Sequence, residues 1–136
     1  MVKIITGNKG SGKTKILINQ INEAAKNTKG FVCCIDKNDK LRYDIPHSVR
    51  IVGTDENSIY SFESFYGLVA GLHAGNYDIT DIFVDSILKV GGADYEALGA
   101  MLAKIDKLTG EDVNVVLTVS ADKSDLPEAV LKFAIN

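Results

Sequence analysis

Arginine, cysteine, histidine and proline each occur only twice in the 136 residues, and these scarcities close off several classes of protein. The cysteines, Cys33 and Cys34, are adjacent within Phe31-Val32-Cys33-Cys34-Ile35. Successive strand residues face opposite sides of a sheet, so the pair reads as reduced core residues covered from both sides. His47 and His73 share no ligand spacing with them, which leaves a Cys/His metal site without a ligand set. No apolar run approaches the roughly 18 residues of a membrane-spanning helix. Positive charge is also short: the net charge is −3 and the pI about 5.3, so no global field is available to hold nucleic acid. Met1 to Ile5 enter a strand pattern directly, without the layout of a signal peptide, and the expected location is the cytoplasm.

Short β-branched runs alternate with amphipathic segments along the whole chain. Strands are expected at Val2–Thr6, Phe31–Ile35, Val49–Val52, Ile82–Val84 and Val113–Val119. A helix is expected from near Gly12 to about Lys26, with Leu17, Ile21, Ala24 and Ala25 on one face. Ile59, Phe62, Phe65, Tyr66, Val69 and Leu72 mark a second helix ending near Gly75, and Tyr95, Leu98, Leu102, Ile105 and Leu108 a third, stopped by Gly110. The last helix opens at Asp125-Leu126-Pro127-Glu128, in the layout of a capping box. Gly67, Gly71 and Gly75 leave a bare stripe on the second helix, read as close packing against the sheet, with a second copy as the alternative. The pattern predicts one domain over residues 1–136, a three-layer α/β fold whose mainly parallel central sheet has about five strands.

The first strand runs into Gly7-Asn8-Lys9-Gly10-Ser11-Gly12-Lys13-Thr14, a complete G-x-x-x-x-G-K-[ST] phosphate loop between a strand and a helix. Its glycines let the backbone turn N–H groups inward, and the following helix adds its positive dipole end. Lys13 supplies a charge for the β- and γ-phosphates, and Thr14 a hydroxyl ligand for Mg²⁺. The expected ligand is therefore ATP with Mg²⁺.

A phosphate loop needs a carboxylate to place Mg²⁺, usually where a buried strand emerges. Ile82-Phe83-Val84-Asp85 fits, so Asp85 is assigned with Thr14 to the metal and with Lys13 to catalysis. Asp81 is the runner-up but lies at the wrong end of that strand. Ser86 stands where many ATPases carry a glutamate that activates water. Asp94 and Glu96 suit the first turn of a helix, which favours acids anyway. Thr118 and Ser120 read equally well as γ-phosphate sensors and as plain strand-end hydroxyls. An arginine finger would have to come from Arg42 or Arg50 through the fold, from a second subunit or from a partner; two solvated surface arginines is the plainer reading.

Val116 to Pro127 is similar to the guanine-reading N-K-x-D segment of small GTPases, with Asp122 in place of Asn. Leu88 replaces the glycine of the D-x-x-G motif, and a strand–helix unit is missing before the last strand, so GTP is the weaker reading.

The order of phosphate loop, second strand, strand ending in Asp and terminal strand ending in hydroxyls resembles the RecA-like and thymidine-kinase-like P-loop proteins. More narrowly, Ile4–Thr14 with Tyr77–Ser86 and Val119–Asp122 looks like a family of short bacterial ATP-binding proteins often labelled twitching-motility, PilT-like. The resemblance implies a P-loop NTPase fold and carries over onto residues 7–14 and Asp85. A hydrolase acting as a slow ATPase or nucleotide-dependent switch, working with a protein partner or as a homo-oligomer, is the leading expectation. A small-molecule kinase is the first alternative, with Asp36 to Ser48 as its only candidate lid; a binding module without turnover is the second.

Overall fold

The computed structural model describes all 136 residues. Five strands form one sheet: β1 (Val2–Thr6), β2 (Phe31–Asp36), β3 (Arg50–Gly53), β4 (Ile79–Val84) and β5 (Asn114–Val119). Their order is β1-β5-β4-β2-β3, and every pairing is parallel. The helices are α1 (Lys13–Asn27), α2 (Phe62–Gly75), α3 (Ile87–Gly91), α4 (Tyr95–Thr109) and α5 (Glu128–Leu131). No helix is long and apolar enough to cross a membrane.

The alternation of strand side chains divides the core. Ile4, Cys33, Ile35, Ile82, Val84, Val115 and Leu117 face a cluster of 23 buried residues shared with α2, α3, α4 and α5. Ile5, Val32, Cys34, Phe83 and Val116 face a smaller cluster of 10, closed by Leu17 and Ile21 of α1 and by Leu41, Ile45 and Val49. Three layers therefore enclose the sheet, as expected. The cysteines divide between the two clusters. Burial raises both thiol pKa values; at Cys33 the charge of Arg50 opposes the rise, whereas at Cys34 those of Asp36 and Asp85 add to it and push it up to about 12.

β1 lies at one side of the sheet, but its outer edge is covered. Residues 133–136 run alongside it: Ile4 N–H donates to Phe133 C=O at 2.9 Å, and Ile135 N–H to Ile4 C=O at 3.0 Å. The Asn136 amide then accepts from Thr6 N–H at 3.0 Å and donates to Thr6 C=O at 2.7 Å.

Several local expectations need correction. β4 starts at Ile79 rather than Ile82, because its first residues pair with the start of β2 despite their polar side chains. Val49 lies outside β3 and packs into the smaller core. The short α3 was missed, since five residues show too little periodicity. Asp125 does not cap α5: it closes a 3-10 turn over Lys123–Asp125, and the first residue before α5 is Pro127, which offers no side-chain bond. The glycine stripe of α2 does not face the sheet. Gly67, Gly71 and Gly75 are exposed, and a Cβ at any of them would meet nothing. Phe65 and Val69 form the packed face instead.

Native protein should leave both cysteines unmodified by a thiol reagent near neutral pH, with two equivalents titrating only in denaturant; rapid labelling of the folded state would contradict the burial described.

Candidate functional site

The site forms at the carboxyl ends of the parallel strands, where the alternation just described decides which polar groups meet. Asp36, Asp85 and Thr118 each continue the register that faces α1, so three polar residues from β2, β4 and β5 gather on the side where α1 begins. β5 lies between β1 and β4, which spaces Asp85 two strands from the loop and inserts Thr118 beside it.

Residues 7–12 wrap from β1 into α1. Gly7 N–H donates to Ala121 C=O at 3.1 Å, tying the loop to the chain leaving β5. A Cβ on Gly7 would collide with the Ser11 hydroxyl. Gly12 precedes α1 with φ 88°, a conformation other residues rarely hold. Lys13 is buried, and its ammonium donates to Asn8 C=O at 2.9 Å and weakly to Ser11 Oγ at 3.4 Å. Burial lowers its pKa, and Asp85 partly offsets the shift.

Asp85 is 1% exposed and is held from two sides. Thr118 Oγ1 donates to its Oδ1 at 2.7 Å and accepts from Ser86 N–H at the same distance. The Thr14 hydroxyl lies 3.2 Å from Oδ2 and 3.3 Å from Oδ1. Sequence reasoning left Thr118 undecided between two roles; its bonds make it the residue that orients Asp85. Ser86 has φ 60° and ψ 56°, left-handed values unusual outside glycine, and turns the chain from Asp85 into α3.

One residue of the site was missed. Asp36, in the sequence only the first residue of the candidate lid, ends β2 and is 1% exposed. Ile35 pairs with Val84, so Asp36 lies beside Asp85, whose N–H donates to Ile35 C=O at 3.0 Å. Its Oδ1 accepts from Lys37 N–H at 2.7 Å. Its Oδ2 is the one buried side-chain polar atom in the chain without a partner. Burial, then the charge of Asp85, raises the Asp36 pKa, opposed by the Lys37 N–H and by Lys40 and Lys89. The available signal was an apolar strand ending in an acid, the pattern that identified Asp85.

These elements surround a cleft of about 420 Å³. Lys9, Gly10, Gly12, Lys13 and Thr14 form one wall; Asp85, Ser86, Leu88 and Lys89 form another, and Lys40 and Ser120 complete it. Arg42 and Arg50 are not in it; both line a groove beside β3, and Arg42 pairs with Asp39 at 3.5 Å. Asp94 caps α4 by accepting from Ala97 N–H at 3.1 Å. Asp122 accepts from the Ser124 hydroxyl at 2.5 Å and from Ser124 N–H at 3.0 Å, and these local bonds lower its pKa. Leu41 and Ile45 anchor the Asp36 to Ser48 stretch in the smaller core, so it is not a freestanding lid.

A hydroxyl and a carboxylate facing one another are hard oxygen donors suited to Mg²⁺. No group of three or more His, Cys, Asp or Glu side chains is placed to hold an ion. The remaining ligands would have to be phosphate and water oxygens, the mode Mg²⁺ favours with nucleotides.

No protein-family model matches the chain, and neither does any curated protein. Solved structures do match, 181 chains in all, so the fold is widely used. One of them is the flagellar accessory protein FlaH from Methanocaldococcus jannaschii, with a TM-score of 0.59 and 18% identity over 96% of this chain. The two share one fold, which in this chain is a five-stranded all-parallel sheet between helices. At that identity the likeness concerns the path of the backbone, and this chain spans 65% of the FlaH chain. The narrower twitching-motility, PilT-like label finds no support in these comparisons.

Two outcomes follow from the geometry. Thr118→Val should cost about 1–3 kcal/mol in denaturant melts, because it leaves Ser86 N–H unpaired and Asp85 short of a donor. Folding raises the Asp36 pKa, so the folded chain holds that proton more tightly than the unfolded one. Its contribution to stability is fully present below the unfolded pKa and is lost as pH rises through the folded one. Asp36→Asn should therefore flatten that decline in thermal midpoint and melt above the parent at pH 7.

Proposed function

We propose that this protein binds ATP with Mg²⁺ and hydrolyses it slowly, its nucleotide state serving as a switch for a partner. The observation that carries the reading is the grouping of Thr14, Asp85 and Thr118 beside Lys13, at the mouth of a glycine-rich loop that opens a helix.

The loop and the start of α1 direct N–H groups at the phosphates, and Gly7, Gly10 and Gly12 leave the backbone free to close on them. Lys13 exchanges the Asn8 carbonyl for phosphate oxygens, which recovers a hydrogen bond while neutralising charge. Thr14 and Asp85 would hold Mg²⁺, with Thr118 fixing the carboxylate. When bound there, the ion would neutralise phosphate charge.

Asp36 supports hydrolysis. Ser86 cannot serve as the base, but Asp36 brings an unpartnered carboxylate oxygen and a raised pKa to the strand next to Asp85. Water in the cleft attacks the γ-phosphorus, its proton passes through an intervening water to Asp36, which lies outside the cleft lining, and the bond to the ADP leaving oxygen breaks, giving ADP and phosphate. The burial of Asp36 limits the access of that water, which argues for slow turnover. The anchored Asp36 to Ser48 stretch weighs against transfer to a metabolite, which calls for a lid that closes over the acceptor.

Titration with millimolar ATP·Mg²⁺ should raise the thermal midpoint, by the equivalent of about 2.7 kcal/mol at a hundredfold excess over Kd. Lys13→Ala should remove most of that gain, and Asp85→Asn should chiefly remove its dependence on Mg²⁺. No binding by the parent chain, or affinity indifferent to Lys13→Ala, would sink the reading. Asp36→Asn should retain ATP binding and lower phosphate release by about a hundredfold; unchanged turnover would remove Asp36 from the mechanism.

A further inference from the structure

The cleft carries more positive charge than a phosphate loop requires. Besides Lys13 and Lys9 of the loop, Lys40 and Lys89 reach it from two other elements, while Asp85 is the one carboxylate in its lining. This excess stands in a chain whose net charge is −3.

Both additional lysines have fixed roots. Lys89 lies on α3 between Leu88 and the buried Val90, and its N–H donates to Ser86 C=O at 3.0 Å. The left-handed Ser86 turns the chain into α3, whose Leu88 and Lys89 line the cleft while Ile87 secures it in the larger core. Lys40 opens the 3-10 turn over Lys40–Tyr43, held by the adjacent Leu41, which is 3% exposed. Neither ammonium is in an ion pair, since the single pair in the molecule joins Arg42 to Asp39. Both lysines are exposed cations on the cleft lining, and their charges also oppose the rise in the pKa of the buried Asp36. Lys13 and the loop N–H groups suffice for a diphosphate. Two free cations opposite them have an evident use only when a third phosphate extends toward the strand ends.

We propose that Lys40 and Lys89 form a cation pair that reads the terminal phosphate, so that the cleft distinguishes nucleoside triphosphate from diphosphate without an arginine from elsewhere. This rests on the nucleotide-binding reading above and deepens it. The pair also ties the phosphate to the turn that carries Arg42 and the 94% exposed Tyr43, a surface a partner can sense.

The test compares ATP·Mg²⁺ and ADP·Mg²⁺ affinity by calorimetry in the full chain, Lys40→Gln, Lys89→Gln, the double variant and Lys107→Gln as a charge control on α4. The double variant should lose about ten- to a hundredfold in ATP affinity, the range for charge-assisted bonds, with ADP affinity nearly unchanged. Lys107→Gln should leave both affinities as they are. Equal losses for ATP and ADP, or no loss for either, would overturn the proposal while leaving nucleotide binding intact. A parent chain that binds neither nucleotide would remove both readings together. Thermal melts of each variant without nucleotide separate loss of recognition from loss of folding, and Lys40→Arg with Lys89→Arg should restore the preference if the variants are folded.

Discussion

The hydroxyl of Thr118 is the contact on which the cleft depends. It donates to Asp85 and accepts from Ser86 N–H, so one oxygen sets both the direction of a buried carboxylate and the turn that follows it. A buried carboxylate without donors is costly, and Asp85 is 1% exposed. Thr118 is there because β5 lies between β1 and β4. Without that strand order, the loop strand and the acid strand would be neighbours and no hydroxyl would stand between them. The topology of the sheet is thus expressed chemically as one hydrogen bond.

The two carboxylates at the strand ends differ in surroundings. Asp85 meets two hydroxyls, whereas Asp36 meets a single backbone N–H and keeps one oxygen unpartnered. Burial, with the charge of Asp85 beside it, raises the pKa of Asp36. Cys34 registers the same charges from below: its thiol is pushed up to about 12 by burial, with Asp36 and Asp85 contributing.

Much of this was legible in the amino acids. The phosphate loop is local and needs only its own glycines, lysine and flanking elements, so its position could be read directly. The apolar strands, the opposite facing of Cys33 and Cys34 and the three layers follow from alternation. Asp36 escaped because its partner strand is distant in sequence: only the pairing of Ile35 with Val84 shows that the first residues of a polar turn are buried beside Asp85. The convergence of Lys40 and Lys89 was hidden for the same reason, since lysines 49 positions apart share a cleft only after the strands are ordered. The glycine stripe misled because bare helix positions mark close packing only where something approaches, and nothing approaches Gly67 or Gly71. Asp125 misled because the 3-10 turn competes with the helix start for the same residues.

The last residues have a mechanical consequence. Residues 133–136 lie along β1, and Asn136 supplies a side-chain amide in place of a strand partner for Thr6, one residue before Gly7. Moving residues 133–136 away from β1 breaks the Asn136–Thr6 bonds together with those at Ile4. The bonds at Thr6 lie one residue before the phosphate loop, so a displacement of this segment is felt beside the place where the anion would sit.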